Sequence, residues 1–192
     1  GIKHYNYSKE YIIWSVEKSL KDLQTDYLDL LLLHRPSPLM HPTEIAAAVS
    51  ILKETGKIIE FGVSNFTPSQ FNLIDQTTSI SVNQIEFSLT QYSAMHNGIL
   101  DQLLQKEVIP MSWSPLGSYF KETNAANKRI KKVLDVFTKK YNATEDQLLL
   151  AWILKHPSGV IPVVGTTSKV RLQNAVKALD IELDLEDWFT LL

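Results

Sequence analysis

The chain has 192 residues, 44% of them hydrophobic and 21% charged, with a formal net charge of −2. So small a net charge argues against a nucleic-acid or membrane-surface partner, and a chain with no cysteine forms no disulfide and does no thiolate chemistry. No apolar run reaches the ~18 residues of a membrane helix and no signal peptide is visible, so the expectation is one cytoplasmic domain over residues 1–192.

Residues 1–7 are polar and aromatic and show no period. Ser8 fits an N-cap, and Ile12, Ile13, Val16, Leu20 and Leu23 then recur at helical spacing. The stretch Tyr27 to Pro36 follows, a short apolar run that stops at His34, Arg35 and Pro36. Such a run suits a strand buried on both faces, and Pro36 cannot donate to a ladder, so the strand ends before it. His34 therefore lies at the carboxyl end of a buried strand, the end at which parallel sheets and barrels carry chemistry. A core histidine held by a neighbour fits this segment equally well.

Pro42 opens a helix to about Glu54, closed by Gly56. Lys57 to Ser64 reads as a strand, and Thr67-Pro68-Ser69-Gln70 as a capping box that starts a helix ending near Gln76. Ser81 to Ser88 is a strand, Ile99 to Lys106 a helix, and Val108 to Ser114 a strand broken by Pro115-Leu116-Gly117. Helices span Ala126 to Tyr141 and Asp146 to His156. A turn at Pro157 to Gly159 leads to a strand over Val160 to Gly165, a loop over Thr166 to Ser168, a helix over Lys169 to Leu179 and a last short helix over Glu186 to Leu192.

Five strands, each followed by at least one helix, argue a parallel α/β sheet with right-handed crossovers. A complete eight-stranded barrel takes ~200 to ~250 residues. The count therefore fits an open doubly wound sheet or part of a barrel. There is no G-x-G-x-x-G turn, so the usual dinucleotide fingerprint is absent.

The strand ends separate these. They read His34-Arg35-Pro36, Gly62-Val-Ser64-Asn65-Phe66, Asn83-Gln84-Ile-Glu86, Ser112-Trp113-Ser114-Pro115-Leu116-Gly117-Ser118 and Ile161-Pro-Val-Val-Gly165-Thr166-Thr167-Ser168. In this order they resemble the aldo-keto reductases, and within them a bacterial NADPH-dependent oxidoreductase subgroup. The resemblance covers nearly the whole chain. It implies a TIM (β/α)8 barrel of aldo-keto reductase type, incomplete here, with the fourth to eighth strands present and the first three lacking.

The resemblance also implies roles. NADP(H) would be the cofactor, held extended across the barrel mouth. Ser64, Asn65 and Gln84 match positions that hydrogen-bond the nicotinamide carboxamide, and amide side chains supply both donors and acceptors for it. Trp113 matches the aromatic that stacks on the nicotinamide. Ser114, Pro115, Leu116, Gly117 and Ser118 match the loop over the pyrophosphate. Gly165, Thr166, Thr167 and Ser168 precede a helix whose N-terminus favours an anion. Arg171 matches the cation on the adenosine 2′-phosphate, where its planar fork suits the group. The family often has a lysine where this chain has Val163, and a Glu-Asn pair near adenine where it has Asn174 and Ala175. Asn174 is kept as the adenine-side residue.

His34 matches the active-site histidine that orients the substrate carbonyl. The proton-donating tyrosine and its lysine and aspartate belong to the second and third strand ends of the family's barrel. Tyr5, Tyr7 and Tyr11 do not sit in that motif. The implied function is hydride transfer between NADPH and an aldehyde or ketone, these 192 residues being expected inactive alone. An NADPH-binding accessory protein of the same fold is the alternative, and the missing tyrosine, lysine and aspartate discriminate between them. A phosphate-binding lyase barrel is a weaker third reading, since no strand end carries a Schiff-base lysine. No metal site is expected. Five strands leave two open edges, and the chain begins at Gly1, so the expectation is the remainder of a longer protein.

Overall fold

The computed structural model describes residue 2 and residues 4–192. They fall into two compact units, residues 1–84 and 85–192. The first contains α1 (Lys9–Leu23), β1 (Leu28–Leu33), α2 (Pro42–Glu54), β2 (Ile58–Ser64) and α3 (Pro68–Asp75), and the chain leaves it within β3 (Val82–Glu86). The local signals act as the sequence indicates. The Ser8 hydroxyl accepts from the Tyr11 N–H at 3.4 Å and caps α1. At α3 the Thr67 N–H donates to Gln70 Oε1 at 3.0 Å, and the Gln70 N–H donates back to Thr67 Oγ1 at 3.4 Å.

β1, β2 and β3 pair parallel, with Leu32 opposite Gly62, Val63 opposite Asn83, and Ser64 opposite Gln84. Gly62 is required by this packing. A Cβ there would lie 2.6 Å from Leu32 Cδ2 and 2.7 Å from the Val82 carbonyl oxygen, and backbone cannot step aside. Ile45, Leu52, Phe61, Phe66, Phe71 and Ile74 are fully buried and fill the core of this unit.

β1 departs from the expectation of burial on both faces. Only Leu33 is buried, Leu30 to Leu32 are half-buried, and Asp29 is exposed. A cleft of about 300 Å³ separates α1 from β1, and Leu31 and Leu32 line it beside Ile12 and Val16.

The second unit holds a 3₁₀ turn (Ser93–Met95), α4 (Ile99–Gln105), β4 (Ile109–Trp113), α5 (Ala125–Lys140), α6 (Glu145–Leu154), β5 (Ile161–Pro162), α7 (Lys169–Val176), a second 3₁₀ turn (Lys177–Asp180) and α8 (Leu185–Leu191). Its core gathers Phe87, Leu100, Leu134, Leu148 and Trp152. Trp152 stacks on Trp188 of α8 at 5.0 Å and 5°. Each indole N–H donates to the other residue's carbonyl, at 3.2 and 2.8 Å. This satisfies both polar tips of an otherwise apolar contact.

β4 and β5 pair parallel through Met111 with Ile161 and Ser112 with Pro162. β5 is two residues long, not the six of Val160 to Gly165. Pro162 brings no N–H to the ladder. One more bond, Val163 N–H to the Ser112 carbonyl at 2.8 Å, follows it before Val164 and Gly165 turn exposed. Among the described residues no helix is long and apolar enough to cross a membrane.

Candidate active site

His34 is exposed immediately after β1. Two tyrosines attend it. The Tyr5 ring lies edge-on to the imidazole at 6.3 Å, and Tyr7 stacks on Tyr5 at 6.4 Å. The Tyr7 hydroxyl donates to the Arg35 carbonyl and accepts from the Arg35 N–H at 3.3 Å. It thus holds the backbone of the residue that follows His34. Burial pushes the Tyr7 phenol above its ordinary range, so it stays a neutral donor.

At the end of β2 the chain makes a tight turn. Ser64 is 3% exposed, and its hydroxyl donates to the Gln84 carbonyl at 2.9 Å while accepting from Asn65 Nδ2 at 2.9 Å. The Asn65 N–H donates to the same carbonyl at 2.8 Å. Asn65 has φ 60°, the left-handed region that Asn tolerates better than most residues. Ser64 has therefore spent its one proton inside the protein, and can only accept from a ligand. The side chains of Asn65 and Gln84 are half-buried. Asn83 donates through Nδ2 to the Phe66 carbonyl at 3.1 Å.

In the second unit the loop after β4 is also tightly built. Trp113 is half-buried. Ser114 and Gly117 both take positive φ, 51° and 55°. The Gly117 N–H donates to the Ser114 carbonyl at 2.8 Å, and the Ser118 N–H to Thr90 Oγ1 at 3.0 Å. A Cβ on Gly117 would meet Thr90 Oγ1 at 2.0 Å and Ser88 Oγ at 2.5 Å. The glycine is needed for this contact with the Ser88–Thr90 turn. Asn127 fastens the far end, donating to the Ser118 and Glu122 carbonyls at 3.1 and 2.9 Å.

The loop after β5 is more open. Gly165 has nothing within 4 Å of where a Cβ would stand. Thr166 Oγ1 accepts from the Ser168 N–H at 3.1 Å, and Ser168 Oγ accepts from the Arg171 N–H at 3.4 Å, capping α7. Arg171 is exposed one turn into that helix, and α7 has no buried residue. Among the described residues no three His, Cys, Asp or Glu side chains gather as metal ligands.

The profile described as the Aldo/keto reductase family matches residues 1–191. The chain belongs to the aldo/keto reductase family. It is 40% identical over 191 residues to an uncharacterized oxidoreductase, YcsN, of Bacillus subtilis, covering 97% of this chain and 64% of that protein. It is 40% identical over 198 residues to the 6-dehydroglucose reductase of Agrobacterium fabrum, covering 99% of this chain and 64% of that one. A crystal structure of a thermostable aldo-keto reductase, Tm1743, with the inhibitor epalrestat superposes with a TM-score of 0.87 at 26% identity, over 96% of this chain and 66% of that one. The chain thus spans about two-thirds, 64%, of the curated relatives' length.

Within this aldo/keto reductase chain, the first unit brings Ser64, Asn65 and Gln84 together around one carbonyl and leaves His34 at the neighbouring strand end. The second places Trp113 to Ser118 on one loop and Gly165 to Arg171 on another. Asn174 is committed to the fold. Its Nδ2 donates to Thr144 Oγ1 at 3.0 Å and to Asp146 Oδ2 at 3.1 Å, and its Oδ1 accepts from Gln147 Nε2 at 2.8 Å. Both of its protons are used, and it ties α7 to the start of α6. Sequence reasoning missed Asn83, Thr90 and Asn127. Asn83 alone left a signal: in a strand that presents Gln84 on one face, its neighbour points to the other, and a buried amide needs a partner.

Proposed function

We propose that this chain carries the cofactor-binding side of a reductase that moves hydride between NADPH and an aldehyde or ketone. The observation that carries the reading is the turn at Ser64–Phe66, held by bonds within the chain and carrying two half-buried amides, Asn65 and Gln84. A primary carboxamide offers one acceptor and two donors, and a pair of protein amides matches it. The family match and the oxidoreductase names of the relatives support the same reaction class.

In this reading the five strand–helix units are the fourth to eighth of a (β/α)8 barrel, which the 64% span of the relatives supports. Trp113 offers a flat apolar face to the nicotinamide ring. The loop at Ser114, Pro115, Leu116, Gly117 and Ser118 lies along the pyrophosphate, with Gly165 to Ser168 at the second anionic contact. The Ser118 N–H already serves Thr90, so phosphate meets other groups of that loop. Arg171, long, exposed and always charged, takes the 2′-phosphate and selects NADPH over NADH. Asn174 supports α7 from behind.

Bound NADPH supplies the hydride. His34 donates a hydrogen bond to the carbonyl oxygen and fixes the carbonyl's orientation, and the Tyr7 clamp on Arg35 steadies the backbone that carries it. The proton comes from a tyrosine of the barrel's earlier strands, a step typically worth ~10²–10⁴-fold.

The test is a titration of the full-length protein with NADPH, followed by tryptophan fluorescence and by NADPH oxidation with an activated aldehyde. Saturable quenching that Trp113→Ala largely removes, together with turnover that His34→Ala lowers, is the expected result. Binding without turnover would make the protein an accessory binder, and no binding would end the reading.

A further inference from the structure

Asn83 is 0% exposed, and its amide is half used. Nδ2 donates to the Phe66 carbonyl at 3.1 Å, while Oδ1 meets no protein partner among the described residues. An interior amide with an unpaired oxygen is costly, and an apolar side chain of similar size would avoid that cost. The amide cannot be turned round, because Oδ1 would then face the Phe66 carbonyl, acceptor against acceptor. Its orientation is set by the single bond it makes.

The neighbours show what that bond does. Asn65 sits at φ 60°, a conformation that costs a non-glycine residue energy and persists only when its surroundings impose it. On the entry side the Gln84 carbonyl accepts from Ser64 Oγ at 2.9 Å and from the Asn65 N–H at 2.8 Å. On the exit side Asn83 holds Phe66. Two successive residues of β3 thus grip the turn before and after the strained position, and register fixes them there, since Val63 faces Asn83 and Ser64 faces Gln84.

We infer that Asn83 is a positioning residue for the carboxamide-binding amides, locking the left-handed turn that aims Asn65 beside Gln84. This rests on the function proposed above, in which those two side chains meet the nicotinamide. Asn83 itself touches no ligand. It acts through Phe66 and Asn65.

The experiment uses the full-length protein with Asn83→Leu, which removes the donor and the unpaired oxygen together. Asn83→Ala, which cannot overpack, covers the case in which leucine does not fold. Without nucleotide, amide exchange of residues 64–67 should quicken by about three- to tenfold, the worth of one neutral hydrogen bond, while the rest of β2 is unchanged. The Kd values for NADPH and NADH should rise together by about the same factor, with the KM for the carbonyl substrate unmoved. A merely structural asparagine would lower the melting temperature and leave nucleotide affinity alone. Unchanged exchange and unchanged Kd overturn the inference. Faster exchange with unchanged Kd also overturns it, and removes Asn65 and Gln84 from the proposed site. A wild-type protein that binds neither nucleotide defeats the proposed function first, and the inference with it.

Discussion

The turn after β2 and the loop after β5 are built in opposite ways. Residues 64–66 are gripped by Asn83 and Gln84, with Ser64 and Phe66 buried and Gly62 fitted against backbone. Residues 164–168 follow a two-residue strand, Gly165 faces open space, and the helix they enter buries nothing. The first region is held by bonds within the chain. The second has few bonds to lose and a full charge, Arg171, to offer. Under the function proposed above, the nicotinamide would meet a turn already held by the chain, and the adenosine phosphate a loop that the ligand completes.

The largest expected effect is on stability. Phe66→Ala should cost about 3–5 kcal/mol by emptying a fully buried site. Val170→Ala, on the exposed face of α7, should stay within about 0.5 kcal/mol. Denaturant unfolding of both variants measures the contrast, and similar losses would break it.

Next is cofactor choice. Arg171→Ala should weaken NADPH by about 1.5–3 kcal/mol, the range for hydrogen bonds to charged groups, and leave NADH unchanged. Competition binding with the two nucleotides reads this directly, and equal losses would detach Arg171 from the 2′-phosphate. Gln84→Ala should do the reverse, weakening both by a similar ~1 kcal/mol because the carboxamide is common to them.

The smallest effect is in pH. His156 precedes the turn into β5, its ring edge-on to Phe87 at 5.9 Å and its Nδ1 accepting from the Ser158 N–H at 3.3 Å. Burial holds its pKa below the ordinary value, so the fold prefers the neutral ring. The unfolded chain then binds the proton more readily, and stability declines as pH falls below the ordinary histidine range near ~6.5. Melting curves from pH 7.5 to 5.5 should show a drop that His156→Gln reduces. An identical drop in the variant would assign it to other groups.

What the sequence makes legible follows from how local each device is. The Thr67–Gln70 capping box and the helix from Pro42 to Glu54, closed by Gly56, are each specified by local signals, and both fold as read. The strand ends carrying His34, Ser64, Gln84 and Trp113 were placed correctly because hydrophobic runs bound them. The extent of β5 was not legible, because Pro162 satisfies an apolar pattern while supplying no ladder proton. The reason for Gly117 was hidden for another cause: its partner, Thr90, lies 28 residues from the Ser118 N–H it accepts. The bonds of Asn174 were hidden likewise, since its partners Thr144, Asp146 and Gln147 are remote in sequence.

Hydrogen exchange read by mass spectrometry, with and without NADPH, tests the contrast between the two regions most directly. In the free protein, amides of residues 64–67 should exchange slowly and those of 164–168 fast, and NADPH should slow the second group strongly while barely changing the first. A free protein in which residues 64–67 exchange as fast as 164–168, or in which NADPH slows both alike, would contradict the pairing of a preformed nicotinamide turn with a ligand-completed phosphate loop.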